Sequence, residues 1–203
     1  MRLVADAQNI LKLTCYCFDM PEGAAVMSYL LRNGRSIKLL LDANQMKNPS
    51  CARQLNTVQE LFETAGSNLL EVKSFSPKAG FSALHAKTWC IDGQVYIGGS
   101  FNFTKNADLS NEEHLVVVRD PPLVDKHERW FDDLWNKAGH VTKEFVAAGL
   151  QRKAEKAETR SRSASESRER SVSVARAPRA PKIQSSSDDL LALPAVPESP
   201  RGA

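Results

Sequence analysis

Apolar and polar positions alternate early in the chain. In "ILKLTCYCF", residues 10–18, Leu11, Leu13, Cys15 and Cys17 alternate with Lys12, Thr14 and Tyr16, the period of two that marks a strand. The end of a short helix precedes it in "RLVADAQN". Pro21 opens "PEGAAVMSYLLRNG", a predicted helix stopped by Asn33-Gly34, since proline suits the first helical turn and glycine the residue past the last. "SIKLLLD" is a short apolar strand. "ANQMKNPSCARQLN" reads as a polar loop too long for a plain connection. "TVQELFETAG" predicts a helix ending at Gly66 and "NLLEVKSF" a strand. Strand–helix–strand–helix–strand predicts an α/β fold layered around a largely buried sheet.

Two β-rich runs follow, "ALHAKTWCI" and "QVYIG", joined by Asp92-Gly93. That dipeptide tolerates the positive φ angles of a tight turn, so the runs predict a hairpin. "SFNFTKNADLS" predicts a helix from Ser100 or Asn102 onward, and "EHLVVVRD" another strand. Pro121-Pro122 starts a helix whose Leu123, Val124, His127, Trp130, Phe131, Leu134 and Trp135 recur at helical spacing; the stripe reads as core packing. The folded domain is expected to cover residues 1–140. Residues 141–203, most clearly the Ser-, Arg-, Pro- and Ala-rich stretch past about 150, hold few large apolar side chains and are expected to form a disordered tail. Its Arg-Ser part is read as a solvated tail, with RNA contact or phosphorylation as the alternatives.

Charge narrows the function only slightly. Residues 1–150 carry 16 Lys and Arg against 17 Asp and Glu, so the net charge of +3 comes from the tail and bulk charge is no argument for a nucleic-acid partner. Cys15, Cys17, Cys51 and Cys90 match no zinc-finger spacing, and no secretory signal precedes them. They are expected to be reduced core thiols in a reducing compartment. No apolar run is long enough to span a membrane. As written, the chain is expected to be soluble and cytoplasmic.

"HAKTWCIDGQVYIGGSFNFT", residues 85–104, changes the picture. His85 and Lys87 lie two apart on a predicted strand and so emerge on one face. A buried lysine without a partner is costly, so the pair fits the mouth of a pocket that receives an anion. Gly98 and Gly99 let backbone approach a ligand closely. Ser100 and Asn102 fall where a helix is predicted to begin, a natural seat for phosphate. Asp92 is explained by the turn more readily than by chemistry.

The joint spacing, His-x-Lys-x4-Asp-x6-Gly-Ser-x-Asn, resembles the signature of the phospholipase D superfamily, with His85, Lys87, Asp92, Gly99, Ser100 and Asn102 in place. The strand, helix and strand before it and "NEEHLVVV" after it also resemble that family, over roughly residues 3–140. The single-motif branch, with its mitochondrial cardiolipin hydrolases and bacterial endonucleases, is the most similar. The resemblance implies a mixed, mainly parallel sheet flanked by helices. It implies a phosphodiesterase that needs no metal or other cofactor: neutral His85 attacks phosphorus, while Lys87, Ser100 and Asn102 hold the non-bridging oxygens. It gives Glu113, rather than its neighbour Glu112, the task of orienting the histidine.

A second histidine is needed for proton transfer, yet His114, His127 and His140 are not followed by x-Lys. A homodimer with a shared active site, two copies of His85 facing each other, supplies it. The expected substrate is an anionic, cardiolipin-like phospholipid or single-stranded nucleic acid. Lys47, Arg53, Lys73, Lys78 and Phe81 are candidates for lining its groove or are ordinary surface residues. Relatives begin with a further strand, so a chain missing an N-terminal anchor would instead sit at the mitochondrial outer membrane. The competing reading is a non-catalytic binding module whose tail contacts RNA or protein.

Overall fold

The computed structural model describes residues 1–48, 51–65, 68–77 and 82–175. Lys78, Phe81 and residues 176–203 of the expected tail lie outside the described residues. Helix α1 (Arg2–Ala5) leads into strand β1 (Ile10–Cys15). Then come α2 (Pro21–Arg32), β2 (Ser36–Asp42), a 3-10 turn at Gln45–Lys47, α3 (Ala52–Thr64) and β3 (Leu70–Phe75). Next are β4 (Thr88–Ile91), β5 (Val95–Gly99), α4 (Lys105–Ser110) and β6 (Leu115–Val118). Last are α5 (Pro121–Lys137), β7 (Gly139–His140) and α6 (Lys143–Ala175).

The strands form one sheet in the order β6–β5–β4–β1–β2–β3–β7. It is mixed, as the resemblance implies, but not mainly parallel. Parallel pairing joins β1 to β2 and β2 to β3; the other four pairings are antiparallel. The cause is local: parallel strands need helical crossovers, which α2 and α3 supply, whereas the tight Asp92-Gly93 turn forces β4 and β5 into a hairpin. Both turn residues have positive φ, 54° and 65°, and the Gln94 amide donates to the Ile91 carbonyl at 2.9 Å, a tight turn that lets Ile91 pair with Val95.

Alternation along β1 sends its residues to two cores. Leu11, Leu13 and Cys15 join the larger one, with Met27, Leu30 and Leu31 of α2 and Leu55, Val58 and Leu61 of α3. On the other face Phe131 and Trp135 of α5 pack on Leu40 and Leu84. Lys12 points to that second face. It is buried and bonded to Glu128 and to Asp132 at 3.0 Å, so α5 is held by an ion cluster as well as by apolar contact. Of the predicted stripe on α5, Val124, Phe131 and Trp135 are buried, whereas Leu123 and Trp130 are exposed.

Ordered structure continues past residue 140, where the sequence reading ends the domain. Val141 and Val146 enter the larger core, and residues 1–159 form one compact unit. The expectation of disorder from residue 141 is therefore corrected for residues 141–159, which belong to the compact unit and in which α6 begins. Val146, Leu150 and the preceding Val141 anchor the first turns against the larger core. All four cysteines are buried and none is in a disulfide.

Candidate active site

Topology gathers the predicted residues at one end of the sheet. Cys15 of β1 lies beside Leu41 of parallel β2, so both strands end there. Antiparallel β4 starts there, with Thr88 opposite Thr14. β5 ends there, with Gly98 opposite Thr88, and β6 starts there, with Leu115 opposite Gly99. His85, Lys87, Gly99, Ser100, Asn102 and Glu113 therefore share one rim. Asp92 closes the opposite end of the hairpin, about 16 Å along the chain from Lys87 at strand rise.

His85 and Lys87 do not lie on a strand, contrary to the sequence reading. The last β1–β4 pair is Thr14–Thr88, and residues 82–87 run without a sheet partner. Asp42, fully buried at the end of β2, fixes this segment instead. Its carboxylate accepts from the Leu84 amide at 2.8 Å and from the amides of Asn44 and Gln45, each at 2.9 Å. Tyr16 meets the His85 ring edge-on at a centroid distance of 4.6 Å, and the Tyr16 hydroxyl accepts from the Gln45 side chain at 2.7 Å. Sequence reasoning missed both residues. The available signal was a lone acid ending the apolar run "SIKLLLD", at the carboxyl end of parallel strands where sites collect.

Lys87 is 4% exposed, and its ammonium lies 2.9 Å from each ring nitrogen of exposed His85 and 2.7 Å from the His85 carbonyl oxygen. It forms no ion pair among the described residues. Burial holds the Lys87 pKa below its usual value, with Glu113 and Cys15 acting in the other direction. Burial, then the Lys87 charge, lowers the pKa of His85, against a smaller opposing effect of Asp42. The imidazole is thereby held neutral, the form in which a ring nitrogen is nucleophilic.

Ser100 donates its hydroxyl to Glu113 and accepts the His114 amide at 3.2 Å. Asn111 donates to the other Glu113 oxygen at 3.0 Å. The hydrogen bonds from Ser100 and then Asn111, more than the distant Lys87 charge, keep the Glu113 pKa low. Within one chain Glu113 thus holds Ser100, and no hydrogen bond joins it to His85. Gly99 is required by its neighbour: a Cβ there would fall 2.1 Å from the His114 carbonyl oxygen. Its missing side chain admits β6, where the sequence reading had it admit a ligand. The helix expected from Ser100 or Asn102 begins only at Lys105, capped by Thr104. Residues 100–103 are pinned instead to the chain after β1, through Phe103, whose carbonyl accepts from the Asp19 and Met20 amides at 2.9 and 3.0 Å. Asn102 keeps a buried side-chain oxygen without a hydrogen-bond partner.

Asp92, a candidate catalytic residue by its motif position, has its carboxylate fully engaged elsewhere. It accepts the amides of Gln8, Asn9 and Ile10, each at 2.8 Å. Of the candidate groove residues, Lys73 is buried and donates to the Trp135 carbonyl at 3.1 Å, so it is not groove-lining. Arg53 lies in a polar cleft between α2 and α3. Among the described residues no cluster of His, Cys, Asp or Glu is arranged to hold a metal ion. No described helix is long and apolar enough to cross a membrane.

Residues 1–135 match the family model described as "Cardiolipin synthase, PLD-like domain". The chain belongs to that phospholipase D-like family. Among relatives of this phospholipase D-like chain is a mitochondrial cardiolipin hydrolase of Xenopus laevis, 27% identical over 139 residues, 68% of this chain and 60% of that protein. A mitochondrial cardiolipin hydrolase of Chlamydomonas reinhardtii is 40% identical over 53 residues, 26% of this chain and 24% of that protein. The chain therefore spans less than two thirds of the length of these relatives. The phospholipase D family member Nuc from Salmonella typhimurium superposes with a TM-score of 0.58, at 21% identity, covering 68% of this chain and 85% of that one. NucT from Helicobacter pylori gives 0.57 at 18% identity, covering 68% and 86%. These likenesses establish that the phospholipase D-like chain has the fold of that family.

Proposed function

We propose that this phospholipase D-like chain is a metal-independent phosphodiesterase in which His85 is the nucleophile. One observation carries the reading: the Lys87 ammonium is buried against the His85 ring, and among the described residues no carboxylate lies in ion-pair contact with it. Such a group is costly unless an anion arrives, and a phosphodiester brings one to the atom the imidazole attacks. Asn102 and Ser100 flank the same rim. In the proposed reaction an imidazole nitrogen forms a bond to phosphorus as the bond to the leaving oxygen breaks. An imidazolium gives that oxygen its proton. The resulting neutral imidazole then takes a proton from water, whose oxygen attacks phosphorus and frees His85.

A second histidine is needed for the proton, and we assign it to a homodimer. β6 is an edge strand on which Leu115, Val116 and Val117 are each at least 51% exposed. Consecutive strand residues point to opposite faces, so both faces of this edge are apolar and open, a liability unless covered. The edge adjoins Glu113 and Ser100, which favours a partner meeting the chain at the active-site rim. We assign as substrate a phosphodiester, either an anionic phospholipid of the cardiolipin type, which the names of the relatives and the family support, or a single-stranded nucleic acid.

The test offers cardiolipin vesicles, single-stranded RNA and single-stranded DNA to one preparation with chelator present. Hydrolysis of one of them, undiminished by chelator and lost in His85→Ala, is expected. Full turnover by His85→Ala, or cleavage of none, defeats the reading; the second result favours a binding module.

A further inference from the structure

Helix α6 lies beyond the residues that match the family model, and with Met46, Lys47 and Leu55 from the matched part it lines a groove. Gly149 sits where α6 crosses α3: a Cβ there would be 2.9 Å from a Leu55 methyl. That close crossing opens a groove of about 310 Å³ beside it. Met46, Leu55 and Phe145 make its apolar surface, and Lys47, Arg152, Lys153 and Lys156 supply four cations. No described acidic side chain lines it. Lys47, Arg152 and Lys156 form no ion pair among the described residues. Burial lowers the Lys153 pKa, with the neighbouring Cys51 opposing.

The groove connects to the rim of the active site. Cys51 donates to the Gln45 side-chain oxygen at 3.2 Å, Gln45 donates to the Tyr16 hydroxyl, and Tyr16 packs on His85. The 3-10 turn that carries Gln45 also carries Met46 and Lys47.

We propose that this groove is a binding site for an anionic phospholipid, with phosphate among Arg152, Lys153, Lys156 and Lys47 and acyl chain over Met46, Leu55 and Phe145. Charge complementarity demands an anion, and the apolar floor selects an amphiphile over a naked polyanion. A single-stranded nucleic acid would need several flat faces to stack its bases, and Phe145 is the one aromatic side chain described there. The site is separate from the phosphate held at Lys87 and does not depend on the chain being catalytic. Occupied, it holds the active-site rim against a lipid surface.

The experiment measures co-sedimentation of the full chain with phosphatidylcholine vesicles containing cardiolipin, and with phosphatidylcholine alone. Arg152→Gln/Lys156→Gln is expected to weaken binding to the anionic vesicles about thirtyfold. Arg160→Gln/Arg162→Gln, which removes equal charge outside the groove, is expected to change it less than threefold. Phe145→Ala is expected to weaken it severalfold at constant charge. Circular dichroism confirms that each variant is folded. His85→Ala is expected to bind as tightly as the unaltered chain, so loss of catalysis and loss of the groove are read apart. Equal losses in the two charge variants, no effect of Phe145→Ala, or full displacement from vesicles by a single-stranded oligonucleotide would each overturn the lipid assignment.

Discussion

At the scale of single residues, the account turns on a lysine that stability alone would not retain. Lys87 is buried and makes no ion pair among the described residues, with Glu113 acting on it only at a distance. Lys87→Met is therefore expected to cut turnover by at least about 10²-fold while the melting temperature holds or rises. A fall of several degrees would show that the ammonium supports the fold. The same substitution removes a charge that helps lower the His85 pKa, so NMR titration is expected to show that pKa moving up. The sign carries to the rate. A lowered pKa keeps the imidazole neutral further into acid, so the acid limb for the nucleophile falls below the ordinary histidine value of about 6.5, and Lys87→Met shifts that limb upward. Asp92 makes the opposite case. Its three amide bonds tie the start of β1 to the hairpin turn, and Asp92→Ala is expected to cost about 2 kcal/mol by denaturant titration. Activity per folded molecule is expected to stay the same; a large loss of turnover in a folded variant would return Asp92 to the chemistry.

At the scale of elements, α5 carries a group that works against the fold. His127 is packed between Tyr96, at a ring-centroid distance of 4.3 Å, and Trp130, at 5.1 Å, and its Nε2 is buried without a partner. Burial depresses its pKa to about 4, against the attraction of Glu128. A histidine whose folded pKa lies below its unfolded value binds protons more readily when unfolded, so stability falls as pH drops from about 6.5 toward 4 and levels below that. His127→Phe is expected to raise the melting temperature by roughly 2–4 °C near neutrality and to flatten that acid slope. A lower melting temperature would mean that the imidazole has a stabilising partner.

Elements also show what the sequence makes legible. Alternation in β1, the proline and Asn-Gly bounds of α2 and the Asp-Gly hairpin were readable because each rests on neighbours in sequence. The absence of a strand over residues 83–87 was not, because β1 stops pairing with β4 at Thr14 and Asp42 captures the Leu84 amide from 42 residues away. The late start of α4 has the same kind of cause: residues 100–103 are claimed by the chain after β1 through Phe103. The order of α6 escaped a composition argument because Val141 and Val146 are few, yet both reach the core. Motif spacing located the rim residues, but only the sheet order separates Asp92 from them and brings in Tyr16 and Asp42.

For the whole molecule, one chain supplies one His85, and the proposed chemistry needs two. Val116→Glu, on the exposed edge of β6, is expected to convert a dimer to a monomer by light scattering and to reduce turnover to background, with the melting curve otherwise intact. A fully active monomer would refute the shared site. The most direct measurement of the central claim is acid-free quenching during turnover of a substrate labelled at phosphorus, followed by mapping of the labelled peptide. The account predicts label bound to nitrogen on His85, absent from His85→Ala; turnover with no adduct, or an adduct on any other residue, would contradict it.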